Sequence, residues 1–179
     1  TVEREPISAN VAAAPNERMA PRRRSQRHPV RPPSATRSGP PNTGNIGRLC
    51  LAAGARLHLV GPLGFSLDDR SLKRAGLDYW AELDKREWSS LEALQAAAAP
   101  EARFFYLTTK SDRIYWDADF REGDHLVFGP ETRGLPESLL AAQAENVLTI
   151  PQKPGRSINL ATAVGIVLYE ALRQIGRPE

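Results

Sequence analysis

The segment Ile150–Gln174, IPQKPGRSINLATAVGIVLYEALRQ, decides how the chain is organised. It follows a short apolar run, Val147-Leu148-Thr149-Ile150, and then breaks into Pro151, Pro154 and Gly155. Neither a helix interior nor a central strand accommodates such residues well. Past Ser157-Ile158-Asn159, the residues Leu160, Val164, Val167, Leu168, Ala171, Leu172 and Ile175 fall at offsets 0, 4, 7, 8, 11, 12 and 15. That spacing is one face of a helix. The segment predicts a strand end, a polar loop and a helix over Asn159–Gln174. A helix entrance can cradle a ligand, because its first N–H groups lack partners and its dipole is positive there. The simpler reading, which this stretch alone favours, makes Ser157 or Asn159 a plain N-cap. Both readings stay open.

Upstream, apolar runs alternate with helical patterns. Arg56–Val60, Phe104–Leu107, His125–Phe128 and Val147–Ile150 read as strands, and Ser71–Leu77, Ser89–Ala99 and Glu137–Ala142 as helices. Asn42 or Thr43 is placed to cap a further helix through Ile46, Leu49 and Ala53, ended by Gly54, where glycine suits a C-terminal stop. Alternation of this kind predicts an α/β fold, a parallel sheet covered by helices on both faces. Three strands end in polar turns: Thr108-Thr109-Lys110, Gly129 to Gly134, and Pro151 to Ser157. Ligands of open α/β sheets collect at the carboxyl ends of strands, so all three turns are expected at one edge. Gly129 is the expected point of close backbone approach to a ligand.

Composition narrows the class. The chain has 179 residues, 41% hydrophobic and 25% charged, enough for one domain with a real core. Cys50 is the only cysteine, which excludes an internal disulfide framework and fits a reducing, cytoplasmic setting. No run of apolar residues is long enough to span a membrane. The net charge of +3 is unevenly placed, since residues 1–38 hold eight Arg and three Glu, leaving 16 basic and 18 acidic residues for the rest. The excess of basic over acidic residues therefore lies in the first segment, which is rich in alanine, proline and arginine and is expected to be a disordered leader. Its removal is expected to leave ligand binding by the 39–179 domain intact. His28, His58 and His125 have no metal-ligand spacing. Neither GxGxxG after a strand, nor GxxxxGK[ST], nor GxSxG occurs.

Three stretches together carry a resemblance: PPNTGNIGRLC (Pro40–Cys50), LVFGPETRGLP (Leu126–Pro136) and IPQKPGRSINLATAV (Ile150–Val164). They are similar to the three motifs of SPOUT-superfamily RNA 2'-O-methyltransferases, and GFSLDDRSLKRAGLDYW (Gly64–Trp80) resembles the branch that methylates the ribose of wobble nucleotide 34 (C or U) in tRNA. The resemblance implies S-adenosylmethionine as cofactor, a tRNA anticodon loop as substrate, leucine isoacceptors among the targets, a homodimer with each site at the interface, and a C-terminal trefoil knot. It implies cofactor contacts from Leu107, Gly129, Ile150 and Ser157. It implies chemistry or substrate binding by Asn42, Arg48, Glu131, Ser157 and Asn159, with Arg48 as a ribose and phosphate clamp and Glu131 as a partner for Arg48 or the cofactor. The alternatives are a related RNA 2'-O-methyltransferase with another target, or a non-catalytic RNA-binding or dimerisation module. One departure stands out. The family runs an apolar strand directly into the first motif, whereas Arg27–Ser38 here cannot form a buried strand. The sheet is therefore expected to lack its usual first strand unless another segment substitutes.

Overall fold

The computed structural model describes residues 7–12, 41–61, 78–131, 133–153 and 155–176. Six strands form one parallel sheet: β1 (Ser8–Ala12), β2 (Arg56–Val60), β3 (Lys85–Trp88), β4 (Phe104–Leu107), β5 (His125–Phe128) and β6 (Val147–Leu148). Their order across the sheet is β3-β2-β1-β5-β4-β6. Among the described residues four α-helices accompany them: α1 (Pro41–Ala53), α2 (Leu91–Ala97), α3 (Glu137–Ala142) and α4 (Leu160–Ile175). Pro41 opens α1, where its missing N–H costs nothing, so Asn42 and Thr43 lie inside the first turn rather than capping it. Gly54 ends α1 in the left-handed region, φ 62°, as a glycine stop requires. The helix expected at Ser71–Leu77 lies outside the described residues.

Both faces are covered, as alternation requires. One face puts Leu57, Leu59, Leu126 and Phe128 against Ile46 and Cys50 of α1 and Val164, Val167 and Leu168 of α4. The other packs Val60, Tyr106, Val127 and Val147 with Leu94 of α2 and Leu135. Burial pushes the Cys50 thiol up to about 12, which makes it a packing residue rather than a nucleophile.

The expected leader 1–38 needs correction at its start. Ser8–Ala12 is a central strand, parallel to β2 on one side and β5 on the other. Its entry is fixed by Ser8 N–H donating to the Asp124 carbonyl at 2.9 Å and Arg56 N–H donating to the Ile7 carbonyl at 3.1 Å. A substitute segment thus occupies the slot, and the sheet does have a strand there. The expectation of disorder for residues 13–38 lies outside the described residues. The alternation of Ile7-Ser8-Ala9-Asn10 explains the placement. Ile7 and Ala9 join the core under α1 and α4, while Ser8 and Asn10 turn to the opposite face. β3 was not foreseen either, because KREW is polar and only partly buried, as an edge strand permits.

The substitute strand leaves a polar pocket of side chains inside the sheet's second face. Asn10, His58 and His125 are 0%, 3% and 7% exposed. His58 Nδ1 accepts from Trp88 Nε1 at 2.7 Å, and the His58 and His125 rings lie 5.4 Å apart. Burial, with repulsion from His125, Arg56 and Arg86 adding at His58 and from Arg56 at His125, lowers both imidazoles to about 4. A histidine whose folded pKa is depressed favours the fold above its unfolded pKa, near 6.5, and loses that contribution as pH falls towards 4. Each such histidine is worth about 2 kcal/mol of lost stability by pH 5. Glu170, held near 2 by Arg173 and Gln174, acts only in a lower window. Urea unfolding at pH 7.5 and 5.0 should therefore show a clearly lower midpoint in acid; equal midpoints would remove the histidines from the stability of the fold.

Candidate active site

The carboxyl ends of β4, β5 and β6 meet at one cleft of about 320 Å³, within the range of small-molecule sites. Its floor is apolar, from Leu107, Phe128, Ile150 and Leu160, and its rim carries Thr108, Lys110, Glu131, Arg133 and Ser157. The three polar turns expected at one edge do converge. All four residues expected at the cofactor, Leu107, Gly129, Ile150 and Ser157, line this cleft. An apolar floor for a flat heterocycle and a polar rim for the ends of a charged ligand suit S-adenosylmethionine in size and chemistry.

Gly129 has a more specific reason than closeness to a ligand. A Cβ there would lie 2.3 Å from the Gly134 carbonyl carbon and 2.4 Å from Leu135 N. The turn folds back on its own backbone, and Gly134, at φ 69°, completes the reversal with its N–H donating to the Pro130 carbonyl at 2.8 Å. The wall of the cleft therefore depends on the missing side chain. Gly129→Ala should cost several kcal/mol locally, because backbone rather than a flexible side chain must move. Calorimetry should show S-adenosylmethionine binding weakened at least about 100-fold, a loss of ~3 kcal/mol. Unchanged binding would mean that the wall is not part of the ligand site.

The remaining predicted residues divide into two groups. Asn42, Glu131 and Asn159 form one hydrogen-bonded line. Asn159 Oδ1 accepts from the N–H groups of Ala161 at 3.0 Å and Thr162 at 3.3 Å, capping α4. Its Nδ2 donates to Asn42 Oδ1 at 2.8 Å, and Asn42 Nδ2 donates to Glu131 Oε2 at 2.8 Å. One amide caps α4 with its oxygen and donates to Asn42 with its nitrogen. Ser157 lies in the preceding loop and lines the cleft instead. The line ties the first turn of α1 to the loop after β5 and the start of α4, bringing together residues 117 positions apart.

Asn159→Asp separates the two roles. Aspartate still accepts from the helix N–H groups but has nothing to donate to Asn42. Stability should change by less than about 1 kcal/mol while methyl transfer falls at least tenfold. Equal losses in thermal melting and transfer would reduce Asn159 to a cap.

Arg48 stands apart from this line. Its guanidinium carbon lies 4.5 Å from the centroid of the Tyr79 ring, and Glu131 is engaged by Asn42. Among the described residues that line the cleft, Arg48 is absent. Sequence reading did not single out Tyr79, although it lies in the stretch Gly64–Trp80. Its one signal was an aromatic beside Trp80, with nothing to indicate an arginine across the fold.

Comparison with known proteins gives the family. The SpoU rRNA Methylase family profile matches residues 36–169. The chain belongs to that family. A curated relative from Escherichia coli K12, a tRNA (cytidine(34)-2'-O)-methyltransferase, is 49% identical over 141 residues, covering 78% of this chain and 89% of the relative. A solved structure described as giving structural insights into the 2-OH methylation of C/U34 on tRNA is 40% identical, with TM-score 0.73 over 94% of this chain and 96% of its own. An AdoMet-bound rRNA methyltransferase from Sinorhizobium meliloti is 26% identical, with TM-score 0.66 over 96% of this chain and 57% of its own.

Proposed function

We propose that the protein transfers a methyl group from S-adenosylmethionine to the ribose 2'-hydroxyl of nucleotide 34 in tRNA. The observation that carries this is the convergence of the turns after β4, β5 and β6 on one cleft, with the line Asn159–Asn42–Glu131 tying α1 to its rim, in a member of the SpoU family. S-adenosylmethionine supplies a methyl group on a sulfonium, open to in-line displacement by a hydroxyl. The protein's own work is then positioning and charge stabilisation. Leu107, Ile150 and Leu160 hold the flat part of the cofactor, and the Gly129 turn and Ser157 hold its polar ends. Asn42 and Asn159 fix the approach of the nucleotide, with Glu131 orienting the Asn42 amide. Arg48 clamps ribose and phosphate, its planar fork of donors matching an anionic oxygen pair.

The same proposal includes a homodimer. Arg48 is six residues beyond Asn42, about 9 Å along the helix axis, and it is turned to another side of α1. A second copy brings that side to a cleft. α4 carries Tyr169, 50% exposed, a large aromatic suited to an interface between copies. Sedimentation at micromolar concentration should give twice the monomer mass, and a fully active monomer would refute this arrangement. Leucine isoacceptors as targets, the trefoil knot and a cytoplasmic location belong to the same reading. Among the described residues no helix is long and apolar enough to cross a membrane. Ribose-methylation mapping of cellular tRNA with and without the gene tests the function: the expected loss is confined to nucleotide 34, and an unchanged map refutes it.

A further inference from the structure

We infer that Tyr79 is a positioning residue for Arg48, holding its guanidinium in the orientation that methyl transfer uses. The inference rests on the role proposed above for Arg48.

Three positions of α1 face a single 3-10 turn, Asp78–Ala81. Gly44, Gly47 and Arg48 are spaced i, i+3 and i+4, so they share one helix side. Tyr79 Oη donates to the Gly44 carbonyl. At Gly47 the Trp80 ring comes so near that a Cβ would lie 2.8 Å from it, and Trp80 is itself 3% exposed. Lys85 Nζ donates to the Trp80 carbonyl at 2.7 Å, fixing the far side of the turn. The turn is therefore seated on α1 at two points, and the Tyr79 ring has little freedom left. Arg48 then lays its guanidinium on that ring, 4.5 Å from the centroid.

An arginine on a helix surface has considerable rotamer freedom, and ordering it costs free energy. A cation stacked on an aromatic face recovers part of that cost. This contact uses the charge of the guanidinium rather than a hydrogen bond, so the N–H donors stay available to a ribose or phosphate. A carboxylate partner would instead have consumed those donors. An aromatic support thus orders Arg48 without occupying the group that the substrate needs.

A double-mutant cycle tests this, using the full chain, labelled S-adenosylmethionine and tRNA. Tyr79→Leu should lower kcat for transfer about tenfold, the scale of a lost cation–π contact plus lost orientation. Its cofactor affinity by calorimetry should stay within about twofold. Tyr79→Phe, which keeps the ring, should retain most of the rate. In an Arg48→Ala background Tyr79→Leu should add nothing, because the residue acts through Arg48. Multiplicative losses in the double variant would overturn the inference, as would a Tyr79→Leu enzyme within twofold of the parent. If Tyr79→Leu melts early and loses cofactor binding, the same cycle is run with Tyr79→Phe, where any smaller loss must again vanish in the Arg48→Ala background. Full transfer by Arg48→Ala would sink the role of Arg48 itself. A dead Arg48→Ala enzyme beside an unimpaired Tyr79→Leu enzyme would sink only the positioning role.

Discussion

Deleting residues 1–12 is expected to abolish both cooperative unfolding and S-adenosylmethionine binding. β1 lies between β2 and β5 and pairs with both along its length. Its loss leaves two rows of buried backbone N–H and C=O groups without partners, each costing on the order of 1–3 kcal/mol. A folded domain has only about 5–15 kcal/mol in total. The strand also carries Ala9, fully buried between the sheet and its helices. Ala9→Asp should therefore reproduce the deletion in a chain of full length, since it buries an unpaired carboxylate in that core. Thermal unfolding followed by circular dichroism, with calorimetry for the cofactor, reads both variants. Normal cofactor binding after deletion would show that β1 is an accessory and that the domain begins at α1.

Arg48→Ala should reduce methyl transfer by about 100- to 1000-fold while the cofactor still binds. The estimate follows from removing a preorganised charged donor from a developing negative charge, typically ~3–4 kcal/mol. Cofactor binding survives because the cleft is lined by Leu107, Gly129, Ile150 and Ser157, while Arg48 sits on Tyr79. Arg48→Lys should recover little, because an ammonium does not present a planar fork of donors. Near-normal transfer by Arg48→Ala would return it to an ordinary surface residue.

Much of this was legible in the sequence, for identifiable reasons. β4, β5 and α3 fell where the apolar runs and flanking turns put them, since short, fully buried strands leave a strong local signal. The cleft was legible because topology forces the ends of parallel strands to one edge. β1 was not legible. Ser8-Ala9-Asn10 has low strand propensity, and its seat is set by β2 and β5, which lie far along the chain. β3 escaped for a related reason: edge strands tolerate polar residues. Gly129 was legible as a residue of the cleft, but its contact with Gly134 and Leu135 was not, because nothing local announces that they fold back onto it. Arg48 and Tyr79 are 31 residues apart, and pairing them required the turn at Trp80 to be docked on Gly47.

The most direct measurement uses purified protein, labelled S-adenosylmethionine and a tRNA transcript made in two forms, one complete and one with a 2'-deoxyribose at nucleotide 34 alone. The predicted result is methyl incorporation into the complete tRNA, mapped to the ribose of nucleotide 34, and none into the deoxy form. Equal incorporation into both, or a methyl group on a base or at another position, would contradict the proposed function.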